Sequence, residues 1–286
     1  MPSLIDIRRR IRSVKNTQQI TRALKLISAS KLRRAQDRVI AARPYSQNLR
    51  TLLANLTAAA AGDDRLAESL LLAHREERRV AIILMTSDMG RAGAFNANLV
   101  RASDRFIADR SGIEPELITV GKKGRDHYRK RSWRIVAEHL GILTRPEYSS
   151  AEKIAEATIE RFRKAEIDAV YLIYNEFKSV LSQKLTTVKV LPVELPEKKE
   201  VRNYIFEQPP AEMLERLLPR YVGTTIYQGM LETAAAEHAA RMTAMDSATS
   251  NAGKVIDHLT LTMNRARQAA ITKEIIEVVS GAAALE

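Results

Sequence analysis

The sequence has 286 residues, no cysteine and a formal net charge of +12, with 46 Lys or Arg against 34 Asp or Glu. This length allows one large or two small domains with a substantial core. The lack of cysteine excludes a disulfide framework, a thiol nucleophile and any Cys-ligated metal site. The basic excess indicates an acidic partner, which could be a nucleic acid, a membrane surface or an acidic protein.

The charge is concentrated at the amino-terminal end. Residues 1–50 contain 13 Lys or Arg and only two acidic residues, whereas all 14 aromatic residues lie between Tyr45 and Tyr227. No apolar stretch follows the first arginines, so a secretory signal is not expected, and the basic pattern continues too far for a transit peptide. The longest strongly apolar run, at residues 80–85, is far below the roughly 20 residues of a membrane span. We therefore expect a soluble or at most peripheral protein.

A long basic helix is predicted at the amino-terminal end. Ser3 and Asp6 have the spacing of a capping box, with Pro2 before them. Apolar residues then recur three or four apart, as in a coiled-coil strand with register shifts. These residues are Leu4, Ile7, Ile11, Val14, Ile20, Leu24, Ile27, Leu32, Ala35 and Val39. Pro44 is expected to weaken or kink the helix, and a second helical stretch is predicted over residues 45–61, ending at Gly62.

A longer helix is predicted at the carboxyl-terminal end, over residues 223–285. As a continuous helix it would span about 95 Å. Heptad spacing is clearest from Ala252 to Ala270, and many of the residues in this stripe are small, which allows a partner helix to approach closely. The alternative is that both terminal helices are ordinary bundle helices that cover a core; the length of the second argues against it.

The middle of the chain reads as a separate α/β domain. Strands are predicted at residues 80–85, 117–120, 169–174, 185–193 and 201–206, and helices at 95–109, after Gly121 and at 151–165. Strands that alternate with helices predict a Rossmann-like, mostly parallel sheet inserted between long terminal helices that form an antiparallel coiled coil. The predicted boundaries are 1–62 for the first shaft helix, 75–208 for the α/β domain and 209–286 for the second shaft helix.

Candidate chemistry lies at two glycine-containing turns that follow strands. Neither residues 87–93 nor 121–124 match a dinucleotide or P-loop pattern. An anion site at 121–124 and a catalytic role for Asp88 are alternatives to a tight turn and a cap. The five histidines have no metal-ligand spacing. No catalytic, cofactor or metal residue is therefore predicted, although a nucleotide-binding enzyme stays an alternative.

Nucleic-acid binding is another alternative, because the basic helix could contact phosphates. The helix has no aromatic residue before Tyr45 for base stacking, and its charges surround an apolar stripe that suits a partner helix. A lipid surface is a further alternative. The mechanical interpretation is an antiparallel shaft whose longer helix protrudes, with an apolar end at residues 275–285 that lies inside another protein.

Several segments resemble the gamma subunits of F-type ATP synthases. The resemblance is carried by residues 271–284 (ITKEIIEVVSGAAA), 237–246 (EHAARMTAMD), 259–268 (LTLTMNRARQ), 7–36 with ASKLRRAQ at its end, and the TSD…G…G…FN pattern of 86–96. These segments follow the family order over essentially the whole chain. Leu24, Met89 and Arg91 depart from the family pattern, where Met, Arg and Leu are expected.

The resemblance implies a non-catalytic rotor of the central stalk, which couples rotation of the membrane c-subunit ring to ATP synthesis or hydrolysis in the beta subunits. The implied partners are the alpha and beta subunits, the epsilon subunit and the c-subunit ring, with no nucleic acid, no cofactor and membrane association only through the complex. The chain lacks the cysteine-bearing insertion of the chloroplast type and a presequence, so the expected location is the cytoplasmic face of a bacterial plasma membrane.

The resemblance also implies site residues. Contacts between rotor and stator are expected at Arg8, Arg9, Arg33, Arg34, Arg241, Arg267, Gln268 and Thr272. The apolar end that turns in the bearing of the head comprises Ile275, Ile276, Val278, Val279, Ala282 and Leu285. Alternatives are that Arg241 pairs within the coil and that Gln268 is a solvated helix position.

Overall fold

A computed structural model describes residues 3–60, 69–110, 112–194 and 206–283, with side chains described as far as residue 280. The chain forms two compact units. Unit 1 comprises Met1–Ser28 and Met242–Glu286, and unit 2 comprises Ala29–Arg241. Two long helices contribute to both units, α1 (Leu4–Ala59) and α5 (Pro210–Ala283).

The first turn of α1 is capped as the sequence predicts. The Asp6 backbone N–H donates to Ser3 Oγ at 3.2 Å, and the Ser3 N–H donates to Asp6 Oδ2 at 3.3 Å. This reciprocal pair satisfies donors that a helix start otherwise leaves without partners. The other long helix, α5, begins 13 residues before the predicted start at 223, with Pro210 in its first position. Proline is favoured there because its missing N–H has no helical acceptor in any case.

The second helical stretch predicted after Pro44 is continuous with the first. Helix α1 runs without interruption from Leu4 to Ala59, and Pro44 lies inside it. Proline removes one helical hydrogen bond, but the next turns are held by packing, since Leu49, Leu53 and Leu56 are buried in the core of unit 2. Tertiary contacts thus outweigh the local preference. The predicted helix end at Gly62 lies outside the described residues.

In unit 1 the segments of α1 and α5 run antiparallel. Lys25 Nζ lies 2.6 Å from Asp246 Oδ1, and the Thr249 hydroxyl donates to Thr21 Oγ1 at 2.8 Å. Further towards the start of α1, Gln18 Nε2 donates to the Thr249 carbonyl at 3.3 Å. Residue numbers therefore fall along one helix as they rise along the other, which is the antiparallel pairing that the heptad patterns predict.

The predicted apolar stripe of α1 is wrong at two positions in unit 1. Ile20 and Ile27 are 59% and 52% exposed, whereas the neighbouring Thr21 and Ser28 are buried. The two hydroxyls satisfy backbone acceptors of their own helix, with Thr21 Oγ1 donating to the Gln18 carbonyl and Ser28 Oγ to the Leu24 carbonyl. Small hydroxyl side chains that bond their own backbone lose little on burial and let the helices approach closely.

Unit 2 is built on a five-stranded sheet in the part of the chain that the structure describes, with strand order β3-β2-β1-β4-β5. The strands are β1 (Arg79–Met85), β2 (Glu114–Val120), β3 (Ile135–His139), β4 (Ala169–Phe177) and β5 (Gln183–Leu191). The first four are parallel, and β5 pairs antiparallel with β4. The intervening helices are α2 (Phe95–Ala108), α3 (Lys122–Arg129) and α4 (Tyr148–Arg163). The mostly parallel sheet between long terminal helices confirms the predicted fold class.

The central strand β1 is covered on both faces. Ala81, Ile83 and Met85 pack into a core cluster with residues of α1, α4 and α5, and the alternate residues Ile82 and Leu84 are also fully buried. Side chains on a strand alternate between faces, so burial of both sets requires a layer on each side. This explains the continuous apolar run by which the strand was predicted.

The strand predictions miss β3 and include one segment that lies mostly outside the described residues. Strand β3 was missed because its alternate residues are only half-buried, and its sequence, IVAEH, is short and polar at one end. The strand predicted at 201–206 lies outside the described residues except for Phe206, which is not in a strand.

Candidate functional site

The carboxyl ends of the parallel strands in unit 2 form the edge at which an α/β fold would bind a ligand. Asp88 follows β1 there, and both of its oxygens accept backbone hydrogen bonds. Lys122 N–H donates to Oδ1 at 3.0 Å, and Gly141 N–H donates to Oδ2 at 3.1 Å. Asp88 is therefore a cap that connects three segments, rather than a carboxylate free for catalysis.

The start of α3 is closed to an anion by the protein's own groups. Besides Lys122, the Lys123 N–H donates to the Ser87 carbonyl at 3.0 Å, and the Gly124 N–H donates to Thr86 Oγ1 at 2.8 Å. A phosphate at a helix N-terminus needs these N–H groups. The alternative of an anion site at residues 121–124 is therefore wrong.

Close packing of backbone explains why glycine occupies the first of these positions. Gly121 has a φ of +98°, and a Cβ there would lie 1.9 Å from the Thr86 carbonyl oxygen. Glycine is required both for the left-handed backbone and for the approach. In the preceding turn Arg91 also has a positive φ, of 64°, and Met89 is 60% exposed. Backbone contacts therefore explain the glycine at position 121, and a phosphate-binding loop is not needed to explain it.

Arg241 is buried in unit 2 and already paired. Its guanidinium forms an ion pair with Glu237 one turn earlier on α5, and both side chains are 9% exposed. The Nε and Nη2 atoms each lie 3.4 Å from the Gly90 carbonyl oxygen in the turn after β1. Burial raises the pKa of Glu237 above its usual value, and the charge of Arg241 opposes that rise. The pair thus ties α5 to the strand-end turn.

His238 lies beside this pair. Burial, together with the positive charges of Arg241 and Lys31, lowers the pKa of His238 to about 4, so the ring is neutral at pH 7. Arg241 Nη1 lies 3.4 Å from His238 Nδ1. A guanidinium can only donate, so Nδ1 accepts and the ring proton lies on Nε2.

The other predicted contact residues are all exposed, and they divide between the two units. Arg33 and Arg34 belong to unit 2, while Arg8, Arg9, Arg267, Gln268 and Thr272 belong to unit 1. None of the five arginines in this set forms an ion pair with another described residue. The set therefore does not converge into one pocket within the chain, and its contacts with partner subunits stay predictions.

Among the described residues of unit 1, the end of α5 has no partner helix. Gln18 lies beside Gly253, and because the two helices advance equally, the start of α1 is level with about residue 267. Beyond that point Ile275 and Ile276 are each 58% exposed, and Val278 and Val279 are 71% and 62% exposed. The side chain of Ala282 and the whole of Leu285 lie outside the described residues. The described part of the predicted apolar end is thus exposed.

Sequence reasoning missed Glu237 and His238, although the spacing of Glu237 and Arg241 is that of a helical ion pair. It also missed Lys31, Arg38 and Arg145, which surround a cavity in unit 2. Lys31 and Arg38 share a helix face with Arg34, and this spacing could have indicated them. Arg145 lies in a loop, and only the fold brings it near.

Neither a membrane-spanning helix nor a metal-binding cluster occurs in the described residues. Within residues 3–60, 69–110, 112–194 and 206–283, no helix combines the length and apolarity needed to cross a membrane. In the same residues, no group of three or more His, Asp or Glu side chains is arranged to hold a metal ion.

Comparison with known proteins gives full-length matches. A family model described as ATP synthase matches residues 3–285. The chain is 62% identical over 286 residues to the ATP synthase gamma chain of Solibacter usitatus, with 100% of both chains covered. It is 50% identical over 289 residues to the ATP synthase gamma chain of Pelotomaculum thermopropionicum, again with 100% of both covered.

Solved structures share the fold at low identity. A chain of the Euglena gracilis mitochondrial ATP synthase, from a structure of OSCP, F1 and c-ring, has a TM-score of 0.67 and 18% identity, covering 99% of this chain and 94% of that one. A chain from the central stalk and c-ring of the Tetrahymena thermophila mitochondrial ATP synthase has a TM-score of 0.62 and 22% identity, covering 80% and 99%. These likenesses extend the fold assignment to experimentally determined chains.

Proposed function

Because this chain belongs to the ATP synthase gamma-chain family, we propose that it is the central-stalk rotor of a proton-translocating ATP synthase. It couples rotation of the membrane c-subunit ring to conformational change in the catalytic beta subunits, where ATP is made or hydrolysed. The chain itself is a non-catalytic subunit of this membrane-bound complex, whose F1 part is soluble.

The observation that carries the rotor role is the unpartnered end of α5. An antiparallel helix pair with one longer helix supports a shaft whose tip enters another protein, and Ile275, Ile276, Val278 and Val279 supply the apolar surface for it. Burying one such side chain fully contributes about 1.5–3 kcal/mol. An apolar surface of this kind favours a protein bearing over exposure to water.

The proposed contacts with the stator use exposed side chains. Arg8, Arg9, Arg33 and Arg34 on α1 face acidic groups of the beta subunits, and their lack of ion pairs with described residues of this chain leaves their charge available. On α5 the proposed contacts are Arg267, Gln268 and Thr272, which are also exposed. For Arg241 a stator contact would compete with its bonds to Glu237 and Gly90.

The proposed division of labour follows the three segments of the chain. Residues 1–62 and 209–286 serve as the shaft within the alpha and beta subunits, and residues 75–208 contact the epsilon subunit and the c-subunit ring. The complex lies at a bacterial plasma membrane, with this chain on the cytoplasmic face and held there through its partners.

Co-expression with alpha and beta subunits tests membership of the complex. We expect a purified assembly with one copy of this chain and with ATPase activity. An active head complex that forms equally well and hydrolyses ATP equally fast without the chain would contradict the proposal.

A cross-link tests rotation itself. The chain has no cysteine, so Arg33→Cys introduces a unique thiol that can be oxidised to a cysteine placed in the beta subunit. We expect ATP hydrolysis to stop on oxidation and to return on reduction. Lys153→Cys, on the exposed face of α4, is the control and should leave activity unchanged under the same oxidation. Full activity of the completely cross-linked Arg33→Cys complex would refute a rotating subunit.

A further inference from the structure

Unit 2 contains a basic cavity, and Arg34 is the one residue of its lining that also belongs to the proposed stator contacts exposed to solvent. Its volume is about 230 Å³, and it lies between α1, the loop before α4, and α5. Its apolar floor includes Leu231, Ala234 and Pro146. Such a space holds a group much larger than one water molecule.

Four cationic side chains surround this cavity. Lys31, Arg34 and Arg38 have the i, i+3, i+7 spacing that places them on one face of α1, and Arg145 comes from the loop. None of the residues that line the cavity is acidic. The three cations on α1 form no ion pair with described residues, and Arg145 has only a 3.6 Å contact with the exposed Glu147. The protein therefore gathers four like charges around the cavity, and among the described residues only the exposed Glu147 pairs with one of them.

The ring of His238 completes the lining. It is neutral at pH 7, because burial and the charges of Arg241 and Lys31 lower its pKa to about 4. The neighbouring Glu237 does not neutralise the cavity either, since its carboxylate is paired with Arg241. The positive charge at the cavity thus acts on the buried ring of His238, and Glu237 does not cancel it.

We propose that this basic cavity binds a multiply charged phosphate anion of the diphosphate or triphosphate class. Three guanidinium groups present planar pairs of donors that match phosphate oxygens. Four positive charges exceed what one carboxylate can balance, whereas a polyphosphate carries several negative charges within a small volume. This binding site goes beyond the rotor role, and it concerns the free chain as much as the assembled one.

Titration calorimetry of the full chain with inorganic triphosphate, and separately with ATP, tests the proposal. We expect saturable binding that Arg38→Gln and Arg145→Gln each weaken by roughly threefold to tenfold. Lys153→Gln removes the same charge from an exposed position on α4 that does not line the cavity, and it should leave the affinity unchanged. Thermal unfolding of each variant shows that the fold is kept. Equal affinities for triphosphate and ATP indicate that the ligand is an inorganic polyphosphate. Tighter binding of ATP indicates a nucleotide whose base contacts the apolar floor of the cavity. Both results support the phosphate site.

Three results would overturn this assignment. One is the absence of saturable binding at physiological ionic strength. Another is an equal loss of affinity in Lys153→Gln, which would show attraction by net charge alone. The third is binding of a hexaglutamate peptide at least as tight as that of triphosphate, which would assign the cavity to an acidic protein segment. Because the assay uses the chain without its partners, its outcome is independent of the rotation experiment.

Discussion

Replacing Arg241 with methionine should destabilise unit 2 strongly. The substitution keeps most of the side-chain volume but removes the guanidinium from Glu237 and from the Gly90 carbonyl oxygen. Both members of the ion pair are 9% exposed, so the remaining carboxylate cannot regain its hydration. Breaking a buried ion pair in this way costs about 3–5 kcal/mol. At about 2–4 °C per kcal/mol for a unit of this size, the melting temperature should fall by about 6–20 °C.

The loss should depend on pH. In the folded chain burial already raises the pKa of Glu237 above 4.5, and removal of Arg241 raises it further. The folded state then binds a proton more readily than the unfolded state. The stability from this group is therefore fully present below the unfolded pKa and is lost as pH rises through the folded pKa. Arg241→Met should be closer to the parent chain at about pH 5 than at about pH 7.5.

Thermal unfolding of the full chain, followed by calorimetry at both pH values, measures these effects. Glu237→Gln combined with Arg241→Met is the matched control, since it removes both charges of the pair and should lose stability equally at both pH values. The reasoning is refuted if Arg241→Met changes stability by less than about 1 kcal/mol. It is equally refuted if the loss is the same in the Glu237→Gln background as alone.

Three further outcomes are expected. Gly121→Ala should prevent stable folding, because its methyl group would meet a backbone oxygen at 1.9 Å. Gly112→Ala is the control: its φ is +93° and the space around it is open, so it should cost only about 1–2 kcal/mol of stability. Soluble yield and thermal unfolding compare the two variants. Asp88→Ala should lower stability by about 1.5–3 kcal/mol through loss of two backbone hydrogen bonds to a carboxylate, and equal stability in urea would contradict this. Val278→Ser with Val279→Ser should leave the melting temperature of the free chain unchanged but weaken assembly with alpha and beta subunits, measured by competition with unmodified chain.

The sheet could be predicted from sequence because burial on both faces leaves a visible signal. The run at 80–85 lies in β1, where both sets of alternating side chains are fully buried. Strand β3 gave no such signal, since a short edge strand with half-buried residues resembles a loop. The turn after β2 was recognised from Gly121, but its closure by Asp88 depends on a contact across 34 positions of the chain.

For the helices, the start of α1 could be predicted from local sequence, whereas the buried face and the effect of proline depend on tertiary packing. Ser3 and Asp6 determine a helix start within one turn, so the capping box was readable. The predicted apolar stripe is wrong at Ile20 and Ile27. Hydropathy alone does not reveal that the hydroxyls of Thr21 and Ser28 can donate to carbonyls of their own helix when they are buried. Likewise, the effect of Pro44 on the helix was predicted from the hydrogen bond that proline removes. Helix α1 nevertheless continues through Pro44 to residues that pack in the core of unit 2.

The exposed end of α5 affects the chain before it joins any complex. Ile275, Ile276, Val278 and Val279 form an apolar cluster that contacts water in the free chain, and two such clusters would gain by contacting each other. A cell that makes more of this chain than of its partners therefore accumulates a self-associating species. Balanced synthesis of the subunits, or early capture by a partner, follows as a requirement of having a rotor with an apolar tip.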